Sequence, residues 1–395
     1  MNVKITIIGI PDRLPEFSSE LRQIVKSHRI FSGGKRHHEL VQCILPEQYQ
    51  WIDITVPLSN VFDQYKQQQE DMIVFASGDP MFYGFGITLQ RELPDLDLEI
   101  HAWFNSLQML AHKALLPYHD MINVSCTGRP WKALDTALIQ DHGIIGVLTD
   151  RRKTPNAIAE RMLEYGFTNY RMIVGEALDG PNEHIYHLSL QEASKRNFGP
   201  LNNLILIREK QRAKLHGIPD SKFHILPGRP KMMTKAPIRL LSLAQLELQN
   251  KACFWDVGFC TGSVSIEARL QFPHLDIYSF EIRKEGKALM EQNSRQFNAP
   301  GINSFIGDFL STDISELPSP DAIFIGGHGG KLEEIMTTLD RKISKGTTIV
   351  INAVKDTSSD EFKRVSKLLN YHIEKPLLVQ IDEHNPINII TAKKV

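Results

Sequence analysis

Cysteine is scarce in this chain, and the four present, Cys43, Cys126, Cys253 and Cys260, never fall into C-x-x-C spacing. Two of them sit inside apolar runs, so reduced thiols in a cytosol fit better than disulfides or a zinc site. An excess of either charge is missing too. The 45 Lys and Arg residues against 46 Asp and Glu leave a formal net charge of -1, which argues against a general nucleic-acid binder. No apolar stretch approaches the roughly 18 residues of a membrane span, and the first residues read into a strand rather than an apolar signal segment. The expectation is a cytoplasmic protein without a metal site and without a membrane or nucleic-acid partner. Repeats and low-complexity tracts are also lacking.

What is there is ordinary globular composition, 42% hydrophobic and 23% charged, over 395 residues, too long for one typical core. Up to residue 209, short β-branched runs alternate with helical patterns: Ile5 to Ile8, Met72 to Ala76, Leu98 to Ala102, Ile122 to Ser125, Ile144 to Leu148 and Leu204 to Ile207. Such alternation predicts an α/β domain with a mostly parallel sheet. Over 210–235 the periodicity fades, and three prolines, two glycines and seven Lys or Arg against the single acid Asp220 predict a basic linker leading into a second domain. That domain, 236–395, has strand patterns at Cys253 to Val257, Asp276 to Glu281, Ala322 to Ile325 and Thr347 to Asn352. Tyr371 to Ile381 and Pro386 to Ala392 predict a terminal antiparallel pair.

The segment Trp255 to Gly262 reads W-D-V-G-F-C-T-G. A buried strand, a turn permitted by Gly258 and Gly262, and helical spacing from Ser263 to Phe272 would aim backbone N–H groups at a ligand. Glu281 ends the next apolar run, about 20 residues on, where doubly wound folds hold a ribose hydroxyl pair. The middle glycine of G-x-G-x-x-G is missing, which leaves a nicotinamide (NAD-dependent) oxidoreductase as the runner-up. Asp308 follows the strand-like run Asn303 to Ile306, where an acid can accept from an adenine amino group. This layout favours S-adenosylmethionine and a Rossmann-like class I methyltransferase. Gly326-Gly327-His328-Gly329-Gly330 follows the strand ending at Ile325, on the binding edge of such a sheet, and lets a ligand approach the backbone. His328 is its one titratable side chain and a candidate acid or base.

In the first half, Ser77-Gly78-Asp79-Pro80-Met81-Phe82-Tyr83-Gly84 follows a strand directly, with an irregular backbone suited to wrapping a cofactor. Asn105-Ser106-Leu107-Gln108, Cys126-Thr127-Gly128-Arg129-Pro130 and Thr149 to Pro155 stand after three further strands, where function-bearing loops recur. The cationic run Lys35-Arg36-His37-His38 reads as a solvated turn.

These residues carry two resemblances. Lys231 to Arg239, Asp256 to Glu267, Gly326 to Gly330 and Asn385-Pro386 are similar to the decarboxylating precorrin methyltransferase domain of cobalamin biosynthesis, with a departure at Phe259-Cys260, where that family has a small residue and a glycine. The loops of the first half, with Gly175-Glu176 and Pro200 to Leu204, resemble the tetrapyrrole methylase family, class III S-adenosylmethionine enzymes. In this order the two resemble the bifunctional C5,15-methyltransferase family. The resemblance implies methylation of carbons 5 and 15 of precorrin-6B, or its cobalt form, with loss of the ring C acetate carboxyl, giving precorrin-8X. It implies one S-adenosylmethionine per domain, leaving as S-adenosylhomocysteine, and a homo-oligomer. Cofactor residues would be Gly78, Asp79, Met81, Ser106, Leu107 and Gly128 in the first domain, and Thr234, Asp256, Gly258, Thr261, Gly262, Glu281, Asp308, Gly326 and Gly327 in the second. Because the substrate is a polycarboxylate, Arg129, Arg151, Lys235 and Arg239 are candidate carboxylate ligands. A methyltransferase acting on RNA and a non-catalytic binder, the latter if Phe259 and Cys260 blocked the cofactor, stand as further alternatives.

Overall fold

β-branched and aromatic runs form three sheets, whose alternating side chains cover both faces. The structure is a computed structural model that describes residues 3–229, 232–381 and 386–395; Lys231 and Asn385, part of the motifs above, lie outside them. Two compact units divide the chain: Met1–Arg129, His142–Glu160 and Tyr170–Glu209 form the first, and Pro130–Asp141, Arg161–Asn169 and Lys210–Val395 the second.

The first unit has two sheets. One contains β1 (Lys4–Ile10), β2 (Ile30–Gly33), β3 (Gln50–Asp53), β4 (Met72–Ser77) and β5 (Asp97–His101), all parallel, in the order β3-β2-β4-β1-β5. Alternation sends Ile5, Ile7, Met72 and Val74 into one core and Ile8, Ile10, Ile73 and Phe75 into another, so both faces are covered. The other sheet, β6 (Ile122–Ser125), β7 (Ile144–Leu148), β8 (Tyr170–Glu176), β9 (His184–Ser189) and β10 (Asn202–Arg208), runs β6-β7-β10-β8-β9. Only β6 and β7 are parallel there; β10 lies antiparallel to β7 and β8, and β9 antiparallel to β8. The expected single, mostly parallel sheet is therefore corrected to one parallel and one largely antiparallel sheet. The short connection from Glu176 to His184 makes a hairpin, and too few residues are available there for a parallel crossover.

In the second unit, β11 (Cys253–Val257), β12 (Asp276–Glu281), β13 (Ile302–Ile306), β14 (Ala322–Ile325) and β15 (Thr348–Ala353) are parallel. β16 (Tyr371–Ile373), β17 (Leu377–Val379) and β18 (Ile387–Lys394) complete the sheet, in the order β13-β12-β11-β14-β15-β18-β16, with β17 on β18. β18 is antiparallel to β15 and to both short strands, as the sequence pattern predicts. The strand order reverses between β11 and β14, so their carboxyl ends flank a topological switch point, the place where open α/β sheets bind ligands. Among the described residues no helix is long and apolar enough to cross a membrane.

Candidate functional site

The switch point of the second unit opens into a cavity of about 760 Å³. After β11 the chain turns through left-handed backbone at Gly258 (φ +80°), Cys260 (φ +53°) and Gly262 (φ +77°), then enters the helix Ser263–Gln271. Gly258 crosses directly under Gly327: a Cβ on Gly258 would lie 2.5 Å from the Gly327 carbonyl oxygen. Cys260, a non-glycine residue in a conformation costing about 1–3 kcal/mol, is held there because its N–H donates to Glu281 Oε2 at 2.8 Å. The other Glu281 oxygen accepts from Arg283 N at 3.0 Å and Nη1 at 2.9 Å, so this almost fully buried carboxylate is fixed at the cavity wall.

Asp256, one residue before the end of β11, is in register with Ser279 of β12. It is fully buried, and its Oδ2 accepts from Ser265 Oγ at 2.5 Å, which in turn contacts Ser279 Oγ at 2.8 Å. Its Oδ1, on a residue that lines the cavity, has no partner among the described residues. Burial pushes the Asp256 carboxyl up to about 7, with the Ser265 hydrogen bonds opposing and Glu281 adding to the rise. Asp308 accepts from Lys331 Nζ at 2.8 Å and Leu310 N at 3.1 Å, and these hold it below the usual carboxylate range. Gly326, Gly327 and His328 line the same space. The half-buried His328 places Nε2 3.4 Å from Ser358 Oγ, while Nδ1 is unpartnered among the described residues.

Thr234 and Lys235 also reach this cavity, with Met232 and Met233, so the segment expected as a linker supplies part of its wall. Arg239 is what fixes that segment. It is fully buried, donates to Glu267 at 3.1 Å and to the carbonyls of Thr234 and Ile218, and lies 3.5 Å from Asp220. Glu267 accepts from Gly217 N and Ile218 N as well. The expectation of Arg239 as a substrate ligand is thus corrected: its guanidinium is enclosed and committed to protein acceptors. Thr261 is buried behind the turn and Gly262 sits at the helix start; neither lines the cavity. Phe259 packs with Ile218, Phe223 and Met233, and the cavity persists beside Phe259 and Cys260. Arg283 and Asn352, whose Oδ1 accepts from Ser242 at 3.0 Å, were not singled out from sequence. A cation two residues past the strand-end acid was the available signal for Arg283.

The first unit has its own cavity, about 490 Å³, at the carboxyl ends of its strands. Gly78 (φ +60°) donates to Ile10 O, and its carbonyl would lie 1.9 Å from a Cβ on Gly9, so β1 and β4 meet backbone to backbone. Asp79 turns its Oδ1 back onto Met81 N at 2.8 Å. Gly78, Asp79 and Ser106 line the cavity; Met81, Leu107 and Gly128 do not. For Leu107 the reason is a capping box: Asn105 Oδ1 takes the N–H groups of Leu107 and Gln108, and the Leu107 side chain is fully buried in the core. Of the cations, Arg129 lies 4.9 Å over the Tyr83 ring and Arg151 is exposed, both outside the cavity lining. Lining residues given no site role from sequence include Arg36, read there as part of a solvated turn, and Asn203, named only within the Pro200 to Leu204 motif; the latter is 3% exposed, with both amide atoms unpartnered among the described residues.

Comparison with known proteins finds two domain types in the chain. A model of tetrapyrrole (corrin/porphyrin) methylases matches residues 21–194, and a model of the precorrin methyltransferase domain matches 228–384. A precorrin-6Y C(5,15)-methyltransferase [decarboxylating] of Sinorhizobium sp. is 28% identical over 357 residues, 89% of this chain and 84% of the relative. A probable cobalt-precorrin-6B C(15)-methyltransferase (decarboxylating) of Sulfurisphaera tokodaii is 35% identical over 142 residues, 36% of this chain and 72% of the relative. A solved structure of precorrin-6y C5,15-methyltransferase from Geobacter metallireducens is 32% identical, covering 46% of this chain and 98% of its own, with a TM-score of 0.42. Carrying both domain types in that order, the chain belongs to the family of decarboxylating precorrin-6Y C(5,15)-methyltransferases.

Proposed function

We propose that the chain carries two S-adenosylmethionine-dependent sites acting on precorrin-6B or its cobalt form. Residues 1–209 would methylate carbon 5. Residues 236–395, with the segment 210–235, would methylate carbon 15 and release the ring C acetate carboxyl as carbon dioxide, giving precorrin-8X. The observation that carries this reading is the meeting of Asp256, Glu281 and Asp308 with the Gly258–Gly327 crossing in one cavity. An unpartnered Asp256 oxygen and main chain bare of Cβ atoms fit a ligand that has cationic and hydroxyl groups and lies against the backbone.

When bound, S-adenosylmethionine supplies an electrophilic sulfonium methyl and leaves as S-adenosylhomocysteine. Glu281, immobilised by Cys260 and Arg283, receives ribose hydroxyls, and Asp308 an adenine amino group; Gly78, Asp79 and Ser106 hold the cofactor in the first unit. Lys235, 40% exposed at its side chain, orients a substrate carboxylate. Loss of carbon dioxide leaves the bonding pair in the conjugated ring system, and the acetate carbon then needs a proton to become a methyl group. His328 is the group we assign to deliver it. Alignment of the ring carbon with the methyl in a shielded cavity can supply ~7–11 kcal/mol of barrier reduction, so a strong base is unnecessary. A cytoplasmic homo-oligomer that engages neither nucleic acid nor membrane completes the reading.

Calorimetric titration of S-adenosylhomocysteine into the intact chain is expected to give two bound molecules per chain. In Glu281→Ala one of them should weaken at least about tenfold, since hydrogen bonds to a charged acceptor contribute roughly 1.5–3 kcal/mol each. An intact chain that binds none, or binds NADH in its place, would overturn the proposal.

A further inference from the structure

The run Lys35 to His38 does not behave as a solvated turn. It opens the helix Lys35–Val41, directly after β2, and places Arg36 in the lining of the first unit's cavity. Gly33 makes the approach possible: a Cβ there would lie 3.0 Å from the Trp51 ring and 3.2 Å from His37 Cβ. His38 is turned aside, stacked on Trp51 at 4.1 Å and bonded to Tyr49, and Lys35 is exposed. Arg36 pairs through Nη1 with Asp12 and donates through Nη2 to Ser77 Oγ at 2.9 Å. Two of its five N–H groups are thus used.

The protons around Ser77 can be assigned from the same contacts. His37 Nδ1 lies 3.2 Å from Gly34 N, a group that can only donate, so Nδ1 is the acceptor and Nε2 carries the hydrogen. That Nε2–H then donates to Ser77 Oγ at 2.9 Å. Burial, with the Arg36 charge beside it, holds His37 down at about 4, so the ring stays neutral at physiological pH. Ser77 Oγ accepts from both Arg36 and His37, and its own O–H is left to donate. Ser77, like Arg36, lines the cavity.

The acids of this cavity offset the Arg36 charge but leave its remaining N–H groups and the Ser77 O–H as directional donors. Asp12 is paired with Arg36, and Asp79 turns one oxygen onto Met81 N. A cofactor bearing a sulfonium and an ammonium against one carboxylate would add net positive charge.

We infer that Arg36 and the Ser77 hydroxyl form a carboxylate seat in the first unit's cavity, held by Asp12 and His37. The inference rests on reading this cavity as a methyl-transfer site. The carboxylate has two possible sources, a peripheral acid side chain of the macrocycle or the amino-acid end of the cofactor, and one set of variants separates them.

The test uses the full chain in the Glu281→Ala background, so that S-adenosylhomocysteine binding reports on the first unit. If the seat takes the macrocycle, Arg36→Ala raises KM for addition of the methyl at carbon 5 by about tenfold or more while kcat and S-adenosylhomocysteine affinity hold, with Arg36→Lys restoring part of the loss. If it takes the cofactor, Arg36→Ala weakens S-adenosylhomocysteine by a similar factor but leaves 5′-methylthioadenosine, which lacks the carboxylate, unchanged. Ser77→Ala should shift the same quantity by a smaller factor. Unaltered KM and unaltered S-adenosylhomocysteine affinity in Arg36→Ala would overturn the inference, as would a fall in kcat alone, which a purely structural Arg36 would give. Absence of S-adenosylhomocysteine binding in the Glu281→Ala parent would instead overturn the reading of the cavity.

Discussion

Gly258→Ala is expected to unmake the second unit's cavity. At φ +80° any L side chain is strained, and the added Cβ would stand 2.5 Å from Gly327 O, 2.6 Å from Gly327 N and 2.9 Å from its Cα. These are backbone atoms and cannot rotate away. To relieve the clash the two loops must part, which breaks the bonds that seat them: Gly258 N and Phe259 N to Phe280 O at 2.8 and 3.1 Å, and Gly326 N to Val257 O at 2.8 Å. We expect a loss of about 3 kcal/mol or more, in the range that marks a special backbone site, and no S-adenosylhomocysteine binding in the second unit. Gly330→Ala, outside the cavity lining, is the matched control. It too has a positive φ, +82°, but nothing lies within 4 Å of its Cβ position, so only the conformational penalty of roughly 1 kcal/mol should appear. Urea unfolding and calorimetry on both variants check this; near-native ligand affinity in Gly258→Ala would sink the prediction.

Asp256→Asn should show opposite effects on stability and binding. Because burial pushes the Asp256 carboxyl up to about 7 in the folded protein, well above the ordinary aspartate value of 3.8, folding favours the protonated form. Stability from this group is therefore greatest at low pH, falls as pH rises from about 4 to 7, and stays at its minimum above 7. The full swing is at most roughly 4 kcal/mol for a shift of this size. Asparagine keeps an acceptor for Ser265 without the buried charge, so the variant should gain on the native protein as pH rises and exceed it at pH 8. A cationic ligand draws Asp256 into its charged form, so S-adenosylmethionine affinity in the native chain should climb between pH 6 and 8 and be weaker and flat in the variant. Parallel stability curves at pH 5 and 8 for the two proteins would refute the assignment.

Several of these groups can be read in the sequence because they obey local rules. Buried parallel strands are dominated by apolar residues, unbroken in β14 and interrupted only by Asp256 in β11 and Ser279 within β12, so all three are found with the ends the structure gives, and the acids at strand tips follow. β2 and β3 hold only two large apolar residues each, beside Ser32 and Gly33 or between Gln50 and Asp53, too few to register as a run, and β8 and β9 carry Arg171, His184 and His187 within theirs. Arg239 misleads because its position beside a motif suggests a surface cation, whereas Glu267, 28 residues away, encloses it. Arg36 is hidden for the opposite reason: Asp12 and Ser77, which turn it toward the cavity, are 24 and 41 residues distant. The Asn105–Gln108 box, by contrast, is local, and its spacing already commits the Leu107 N–H to the cap.

The anchoring of Gly217, Ile218 and Arg239 by Glu267 also bears on how the protein is made. On the ribosome the wall that contains Met232 to Lys235 is synthesised before its anchor, since Gly217 and Ile218 precede Glu267 by 50 and 49 residues. Until the helix Ser263–Gln271 has emerged, Arg239 has only Asp220, 3.5 Å away, and lacks the buried Glu267 carboxylate that ties it to Gly217 and Ile218, so the nascent second unit cannot close its ligand seat. Cofactor therefore cannot serve as an early template for that unit. It can stabilise only a chain already synthesised past β14, whose end supplies Gly326 and Gly327.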